Sequence, residues 1–390
     1  MKPITRIVWI LSLISLFTDM ASEMLYPIMP IYLKSIGFSI ILIGVLEGFA
    51  EAIAGLSKGY FGKLSDNSGR RAPFVRWGYM LSAISKPMMA IFVFPVWIFW
   101  ARTIDRIGKG LRTGARDAML SDEATTETKG TVFGFHRSMD TLGAVLGPLL
   151  ALIYLHYNPE QYKLLCFIAF APGIFAVILS FFLKDKKTTE SKIKRASFFV
   201  SFAYWKNSPL EYKKLLIGLL AFALFNSSDT FLLLRAKQSG LSDSGVIMIY
   251  IFYNLVYALF AFPIGIIADK IGLKNIFIAG LLLFAATYFG MSINTNYYLY
   301  FILFFVYGIY AAATEGIAKA WISNITDKKN TATAIGTYAG VQSIFALLAS
   351  SFAGLIWFYF GASTTMFISG FATALVALYI FVVIPKPSKV

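Results

Sequence analysis

Gly62-Lys63-Leu64-Ser65-Asp66-Asn67-Ser68-Gly69-Arg70-Arg71 closes one long apolar block, and Gly265-Ile266-Ile267-Ala268-Asp269-Lys270-Ile271-Gly272-Leu273-Lys274 closes another. Gly, Asp, Gly and a base recur in the same order at one offset of about 203 residues. Four matches in register, at equivalent loops, point to two homologous halves. The glycines permit a tight turn. The carboxylate can accept hydrogen bonds from a nearby helix N-terminus or pair with a base. Gly62, Asp66, Gly69, Arg70 and Arg71, with Asp269 and Lys274, are therefore candidates for a conformational latch.

The composition around these loops is that of a membrane protein. Of the 390 residues 58% are hydrophobic and 14% charged, whereas charged residues make up about a quarter of a soluble chain. The apolar residues fall into blocks of about 20, the length that spans a bilayer. The first block, Ile7 to Leu33, carries Asp19, Glu23, Pro27 and Pro30 and has no small-residue cleavage site, so it reads as a retained helix, not a signal peptide. One cysteine, Cys166, excludes an intrachain disulfide.

Twelve helices are expected, at about 7–34, 39–60, 73–93, 95–119, 129–155, 162–183, 214–236, 244–267, 274–292, 297–322, 331–358 and 363–384. The formal charge of +15 is distributed over alternate loops. Even-numbered loops and their helix ends hold Lys58, Lys63, Arg70 and Arg71; Arg112, Arg116 and Lys129; the run Lys184 to Lys214; Lys270 and Lys274; and Lys328 and Lys329. Odd loops are nearly uncharged, with Lys34, Lys163, Arg235 and Lys237 as exceptions. That alternation describes topology, with both termini cytoplasmic, and not a nucleic-acid partner. The domain division follows as residues 1–184, a cytoplasmic linker at 185–212, and residues 213–390, with Phe198 to Trp205 as a candidate surface-lying amphipathic piece.

The duplicated loop resembles the signature known as motif A of the major facilitator superfamily (MFS). Two further resemblances follow in the family's order. Arg102-Thr103-Ile104-Asp105-Arg106-Ile107-Gly108-Lys109-Gly110 resembles its R-x-x-Q-G-x-G-x-G, with Asp and Arg replacing Gln and Gly. Gly134, Gly143 and Gly147-Pro148 match the glycine spacing of its antiporter motif, although Ala151 and Leu152 stand where a Gly-Gly would trail. The resemblance covers essentially the whole chain. It implies an all-α integral membrane fold of twelve transmembrane helices in two pseudo-symmetric six-helix bundles, similar to drug and metabolite antiporters. It also implies alternating access at a central site.

Ionisable side chains at membrane depth are costly, and by default they face a cavity or a partner. Asp19 and Glu23, at i and i+4, share one face of the first helix. At 1.5 Å per residue, Asp19 lies about 18 Å deep. Two such carboxylates are candidate proton carriers, or else are fixed by salt bridges to Arg102 or Arg106. Glu47 and Glu51 repeat the pattern on the second helix. Arg102, Asp105, Lys109, Arg112 and Arg116 form one stripe on the fourth helix, beside Arg106. Arg102 and Arg106 are candidates for contact with an anionic solute, and Arg112 and Arg116 for the latch. The stripe can equally form a charge network with Asp66, Asp117 and Asp140. His136 on the fifth helix, Asn226 and Asp229 on the seventh, Glu315 on the tenth and Tyr26 complete the substrate-binding candidates. Glu315 and Lys319, at i and i+4, can simply pair.

The resulting expectation is a secondary active transporter in a bacterial-type inner membrane, a monomer among lipids, that moves a small solute by proton-coupled efflux. Proton-coupled import of an anionic metabolite or metal chelate is the alternative. No H-E-x-x-H or G-x-S-x-G motif and only two histidines are present, so an enzyme is not expected. No resident metal, cofactor or nucleic acid is called for.

Overall fold

The computed structural model describes residues 4–26, 28–29, 32–33, 36–38, 40–185, 200–241, 243–294 and 296–384, with the side chains of residues 40–52, 56, 200–203, 243–244, 247 and 297 outside that description. The described residues are helical, and no strand occurs among them. In order they are α1 (Arg6–Glu23), α2 (Ile40–Ser68), α3 (Ala72–Ile91), α4 (Pro95–Glu123), α5 (Lys129–Tyr157), α6 (Tyr162–Ser180) and α7 (Val200–Asn207). There follow α8 (Leu210–Phe225), α9 (Thr230–Gln238), α10 (Asp243–Ile271), α11 (Leu273–Ile293), α12 (Tyr297–Asn324) and α13 (Thr331–Val383). Seven stretches among the described residues are long and apolar enough to cross a membrane, and they run from Lys129 onward. Helix α4 is not among them, because its inward stripe of charge lowers its mean hydropathy.

Local chemistry sets the boundaries. Thr5 caps α1 by accepting from the Val8 N–H, and Asn296 caps α12 by accepting from the Tyr298 N–H. Gly69 and Gly272, the paired glycines of the repeat, have φ of 64° and 100° and turn the chain from α2 into α3 and from α10 into α11. That left-handed conformation favours glycine.

One element differs from the sequence reading. The span 214–236 is broken, because α8 stops at Phe225 and α9 starts at Thr230. Asn226, Ser227 and Ser228 are weak helix formers, and the Ser228 hydroxyl takes the Thr230 N–H instead of a helical carbonyl. The expected spans 331–358 and 363–384 lie to either side of Gly361 in α13, whose non-helical backbone (φ 84°, ψ 167°) separates two helices there.

The chain divides into two compact units. Unit 1 comprises residues 1–123, 139–206 and 327–340, and unit 2 comprises residues 124–138, 207–326 and 341–390. In unit 1 the main packing pairs are α3 with α4, α2 with α4, α3 with α6 and α1 with α6. Its apolar core gathers Met24, Leu33, Met89, Ile98, Leu165 and Cys166, and the lone thiol is buried. In unit 2, α12 packs on α10 and α11 around buried Phe277, Phe284, Tyr288 and Phe304.

Large apolar side chains also face outward, among them Phe358, Phe371, Leu375 and Phe381. Acyl chains solvate such a surface and water does not. Where helices cross most closely, glycine removes the side chain between them. A Cβ on Gly336 of α13 would lie 2.5 Å from the Lys58 carbonyl oxygen of α2. One on Gly130 of α5 would lie 2.6 Å from that of Gly265 on α10. Close backbone approach through small residues is the way helices gain packing in a bilayer.

Candidate functional site

The polar interior of unit 1 is built by α1, α3, α4 and α5. Helix α4 turns its stripe inward because Gly108 and Gly110 allow α3 and α2 to close on it. A Cβ on Gly108 would be 2.6 Å from the Gly78 carbonyl oxygen, and one on Gly110 would overlap the Ser57 hydroxyl.

Much of the stripe is internally matched. Lys86 of α3 pairs with Asp105 at 3.0 Å, and Ser82 donates to the same oxygen at 2.5 Å. Arg116 clasps the neighbouring Asp117 through Nε and Nη2, both at 2.8 Å, and reaches Ser15 at 3.3 Å. Ser15 donates to Asp140 at 2.5 Å. The Arg112 guanidinium lies 4.6 Å over the Tyr79 ring. Arg112 and Arg116 thus engage Tyr79, Asp117 and Ser15, not Asp66. Arg102 and Asp105 are buried, Arg106 is half-buried, and Lys109 is exposed.

Asp19 and Glu23 contrast with that network. Both are half-buried, and among the described residues neither has a hydrogen bond or an ion pair. Salt bridges to Arg102 or Arg106 therefore do not hold them. The charges acting on Asp19 are those of Asp140, Glu23, Lys109 and Arg112, and those acting on Glu23 are led by Lys109 and Arg106. Glycines of α5 explain their placement. A Cβ on Gly147 would lie 2.6 Å from the Met20 carbonyl oxygen, and one on Gly143 would overlap that of Leu16, so α1 rests on α5 backbone on either side of Asp19. Glu47 and Glu51 lie on α2, but their side chains are outside the described residues.

Unit 2 holds a second polar cluster. The Asp229 carboxylate accepts from the hydroxyls of Tyr253 and Tyr307, the latter at 2.6 Å. Asn226 Nδ2 donates to the Tyr310 hydroxyl at 3.0 Å. Glu315 faces Arg137 at 3.6 Å, and so has a base from α5 besides Lys319 on its own helix. Arg137 Nε donates to the Tyr257 hydroxyl, and its guanidinium stands 5.3 Å from the centre of that ring. His136 is buried on α5, and Tyr26 is 56% exposed beyond the end of α1.

The duplicated loops acquire matching partners. Asp66 accepts from the Thr333 N–H at 2.7 Å, the Thr333 hydroxyl at 2.6 Å and the Ala332 N–H at 3.4 Å, at the N-terminus of α13. Asp269 accepts from the N–H groups of Gly130 and Thr131, both at 2.6 Å, at the N-terminus of α5. A carboxylate there meets unsatisfied N–H groups and the positive end of the helix dipole. Asp66 lies past the apolar span 39–60, and burial pushes its carboxyl up to about 6, against the pull of Arg71 and Thr333.

Around this loop, Arg71 bonds Asp122 at 2.7 Å, Asp66 at 3.6 Å and the Lys328 carbonyl at 3.1 Å, while Arg70 is exposed. Lys274 binds the Phe381 carbonyl at 2.9 Å and that of Ile384, and so closes the C-terminus of α13. Asp185 accepts from the Arg71 and Ala72 N–H groups at 2.7 and 2.8 Å and caps α3. Lys86, Asp122 and Asp185 carry no signal of these roles in the sequence, because their partners are distant in the chain. Among the described residues no His, Cys, Asp and Glu group is arranged to hold a metal ion.

A family model described as Major Facilitator Superfamily matches residues 11–254 and 215–390. The chain belongs to that superfamily. This MFS chain is 32% identical over 362 residues, 91% of its length and 89% of the relative's, to an uncharacterised MFS-type transporter of Methanocaldococcus jannaschii. It is also 28% identical over 159 residues, 39% of its length and 37% of the relative's, to the MFS-type transporter YqjV of Bacillus subtilis. Its fold is similar to that of the human organic anion transporter MFSD10, with a TM-score of 0.80, 15% identity and coverage of 97% and 100%. It is similar too to the E. coli fucose:proton symporter FucP, with a TM-score of 0.79, 11% identity and coverage of 96% and 97%. Those two likenesses concern the fold alone.

Proposed function

We propose that this MFS protein is a proton-coupled secondary transporter that expels a small solute from the cytoplasm by alternating access, with Asp19 and Glu23 carrying the protons. One observation carries the reading. Two carboxylates sit one helical turn apart in a polar interior, free of hydrogen bonds and ion pairs among the described residues. A group that must gain and lose a proton in each cycle needs that freedom, whereas a structural carboxylate is locked to a base, as Asp105 is to Lys86. Glu47 and Glu51 are proposed as auxiliary proton sites, with Arg102, Arg106, Asn226, Asp229, His136 and Glu315 as solute contacts.

The proposed mechanism rocks two homologous halves, residues 1–184 and 213–390, about a central site, with the inner-membrane protein keeping both termini in the cytoplasm. Proton and solute bias the two states by binding them unequally. Asp66 and Asp269, each seated on a helix N-terminus, are proposed to hold the cytoplasmic side shut. Proton-coupled import of an anionic metabolite or metal chelate is the second reading, and exposed Lys109 beside the two carboxylates favours it.

A thermal-shift screen of anionic metabolites, metal chelates and lipophilic drugs at two pH values identifies the solute, since a ligand stabilises by mass action. In proteoliposomes Asp19→Asn should then abolish flux driven by a pH gradient while sparing solute exchange at equilibrium. Unchanged gradient-driven flux would falsify the assignment.

A further inference from the structure

The break between α8 and α9 brings three electronegative features together in unit 2. The last carbonyls of α8 have no helical partner beyond Phe225. Four residues on stands the Asp229 carboxylate, and Glu315 is the charge that acts on it. Among the described residues Asp229 forms no ion pair, since its hydrogen bonds go to the hydroxyls of Tyr253 and Tyr307. Two hydroxyl donors occupy part of a carboxylate's roughly four acceptor positions and leave the rest open. Asp229 is half-buried as a residue.

The surroundings are aromatic. Tyr253 lies 5.4 Å from Tyr307 and 5.5 Å from Tyr250, centre to centre. Tyr250, Tyr253 and Tyr257 fall on one face of α10 at spacings of three and four. One end of this stripe already holds a cation, the Arg137 guanidinium over Tyr257. The other end, beside Asp229, offers ring surface and a counter-charge with no base paired to that carboxylate. Half-buried Tyr250 stands at its rim. A carboxylate among aromatic faces is the arrangement that receives alkylammonium groups, through charge on one side and ring quadrupoles on the other.

We infer that this cluster receives a cationic group of the transported solute, a protonated amine or quaternary ammonium. Asp229 is its counter-ion, and the rings of Tyr250 and Tyr253 lie against its alkyl carbons. The inference rests on the transporter reading and adds a substrate chemistry to it.

The test is equilibrium binding to the purified full-length chain in lipid nanodiscs, with no gradient. The probes are tetramethylammonium, choline and benzyltrimethylammonium, with uncharged 3,3-dimethylbutan-1-ol and anionic benzoate as controls. At least one cation should raise the melting temperature at about 10 mM while neither control does. Asp229→Asn should weaken that binding by about tenfold or more with the unliganded melting temperature preserved, and Tyr250→Leu should weaken it severalfold. Equal stabilisation by the uncharged control overturns the inference, as does Asp229→Asn binding unchanged. No response to any of the three cations overturns it also. If Asp229→Asn instead lowers the unliganded melting temperature and leaves cation binding intact, Asp229 is a fastener for two tyrosines and the inference fails. Gradient-driven flux left unchanged by Asp19→Asn, with cation binding intact, would count against proton coupling through Asp19 and leave this site standing.

Discussion

Removing the Asp66 carboxylate should loosen the first turn of α13 by an amount the geometry sets. That carboxylate takes two short hydrogen bonds from Thr333, at 2.7 and 2.6 Å, and a long one from the Ala332 N–H at 3.4 Å. Each hydrogen bond to a charged acceptor is worth about 1.5–3 kcal/mol, and the helix dipole adds about 0.3–1 kcal/mol. The burial cost of the charge, which alanine removes, and water admitted to the truncated site both offset part of this, so Asp66→Ala should cost about 3 kcal/mol of local opening free energy at most. Asp66→Asn, which keeps one acceptor oxygen, should cost about half as much. Hydrogen–deuterium exchange of a peptide covering residues 329–337 reads that free energy directly, because the Thr333 amide is the donor. At 1.36 kcal/mol per decade, exchange there should quicken about 150-fold in Asp66→Ala and about tenfold in Asp66→Asn. Asp269→Ala should do the same to residues 126–134 and leave 329–337 alone, since it accepts from Gly130 and Thr131. Unchanged exchange at 329–337 in Asp66→Ala would mean that the carboxylate does not hold the helix end, and the latch reasoning would be wrong for both loops.

The same peptide should respond to pH. Asp66 rises to about 6 when seated on α13, above the 3.8 of an exposed carboxyl, so the seated form binds the proton more tightly. Its extra stability is complete below about pH 4 and is lost as pH rises through 6, a swing of about 3 kcal/mol. Opening corrected for intrinsic exchange should therefore become harder on acidification, and pH-independent opening would reject this. Gly336→Val should separate α13 from α2, because its Cβ starts 2.5 Å from the Lys58 carbonyl oxygen. It should cost about 1–3 kcal/mol as overpacking does, read as a lower melting temperature with faster exchange across residues 331–340. Lys86→Met should cost about 3–5 kcal/mol by stranding Asp105, and Lys86→Met with Asp105→Leu should recover most of it. A double variant no more stable than the single one would show that the pair is not the relevant unit.

Which of these features the sequence discloses depends on whether their partners are local. The repeat was legible because a turn needs glycine at a given backbone angle, and Gly69 and Gly272 adopt it at equivalent positions. The inward stripe of α4 was legible from its spacing, and so was the one-face placement of Asp19 and Glu23. Their partners were not. Lys86 meets Asp105 across two helices, and Arg137 meets Glu315 across more of the chain. No periodicity records such pairings. The reading of Glu315 with Lys319 had only helical spacing to work from. The break at Asn226 was missed for a different reason, since hydropathy averaged over a span hides four polar residues that leave the helix.

The strongest argument for function lies in an asymmetry in how unit 1 treats its charges. Unit 1 buries many charges, and much of the α4 stripe is settled: Arg116 on Asp117 and Ser15, Arg112 on a tyrosine ring, and Asp105 on Lys86. A fold able to satisfy those groups could have satisfied two more. Instead it holds Asp19 and Glu23 without bonds, and it does so by design of backbone contact: Gly143 and Gly147 bring α5 against α1 at Leu16 and Met20, within a turn of both carboxylates. Any side chain at either glycine would push α1 away from Asp140, whose charge is one of those acting on Asp19 and on Glu23. Two acidic groups without an ion pair, within range of a third carboxylate, are costly in the resting fold. On the proposed reading, a proton or a solute relieves that cost during the cycle.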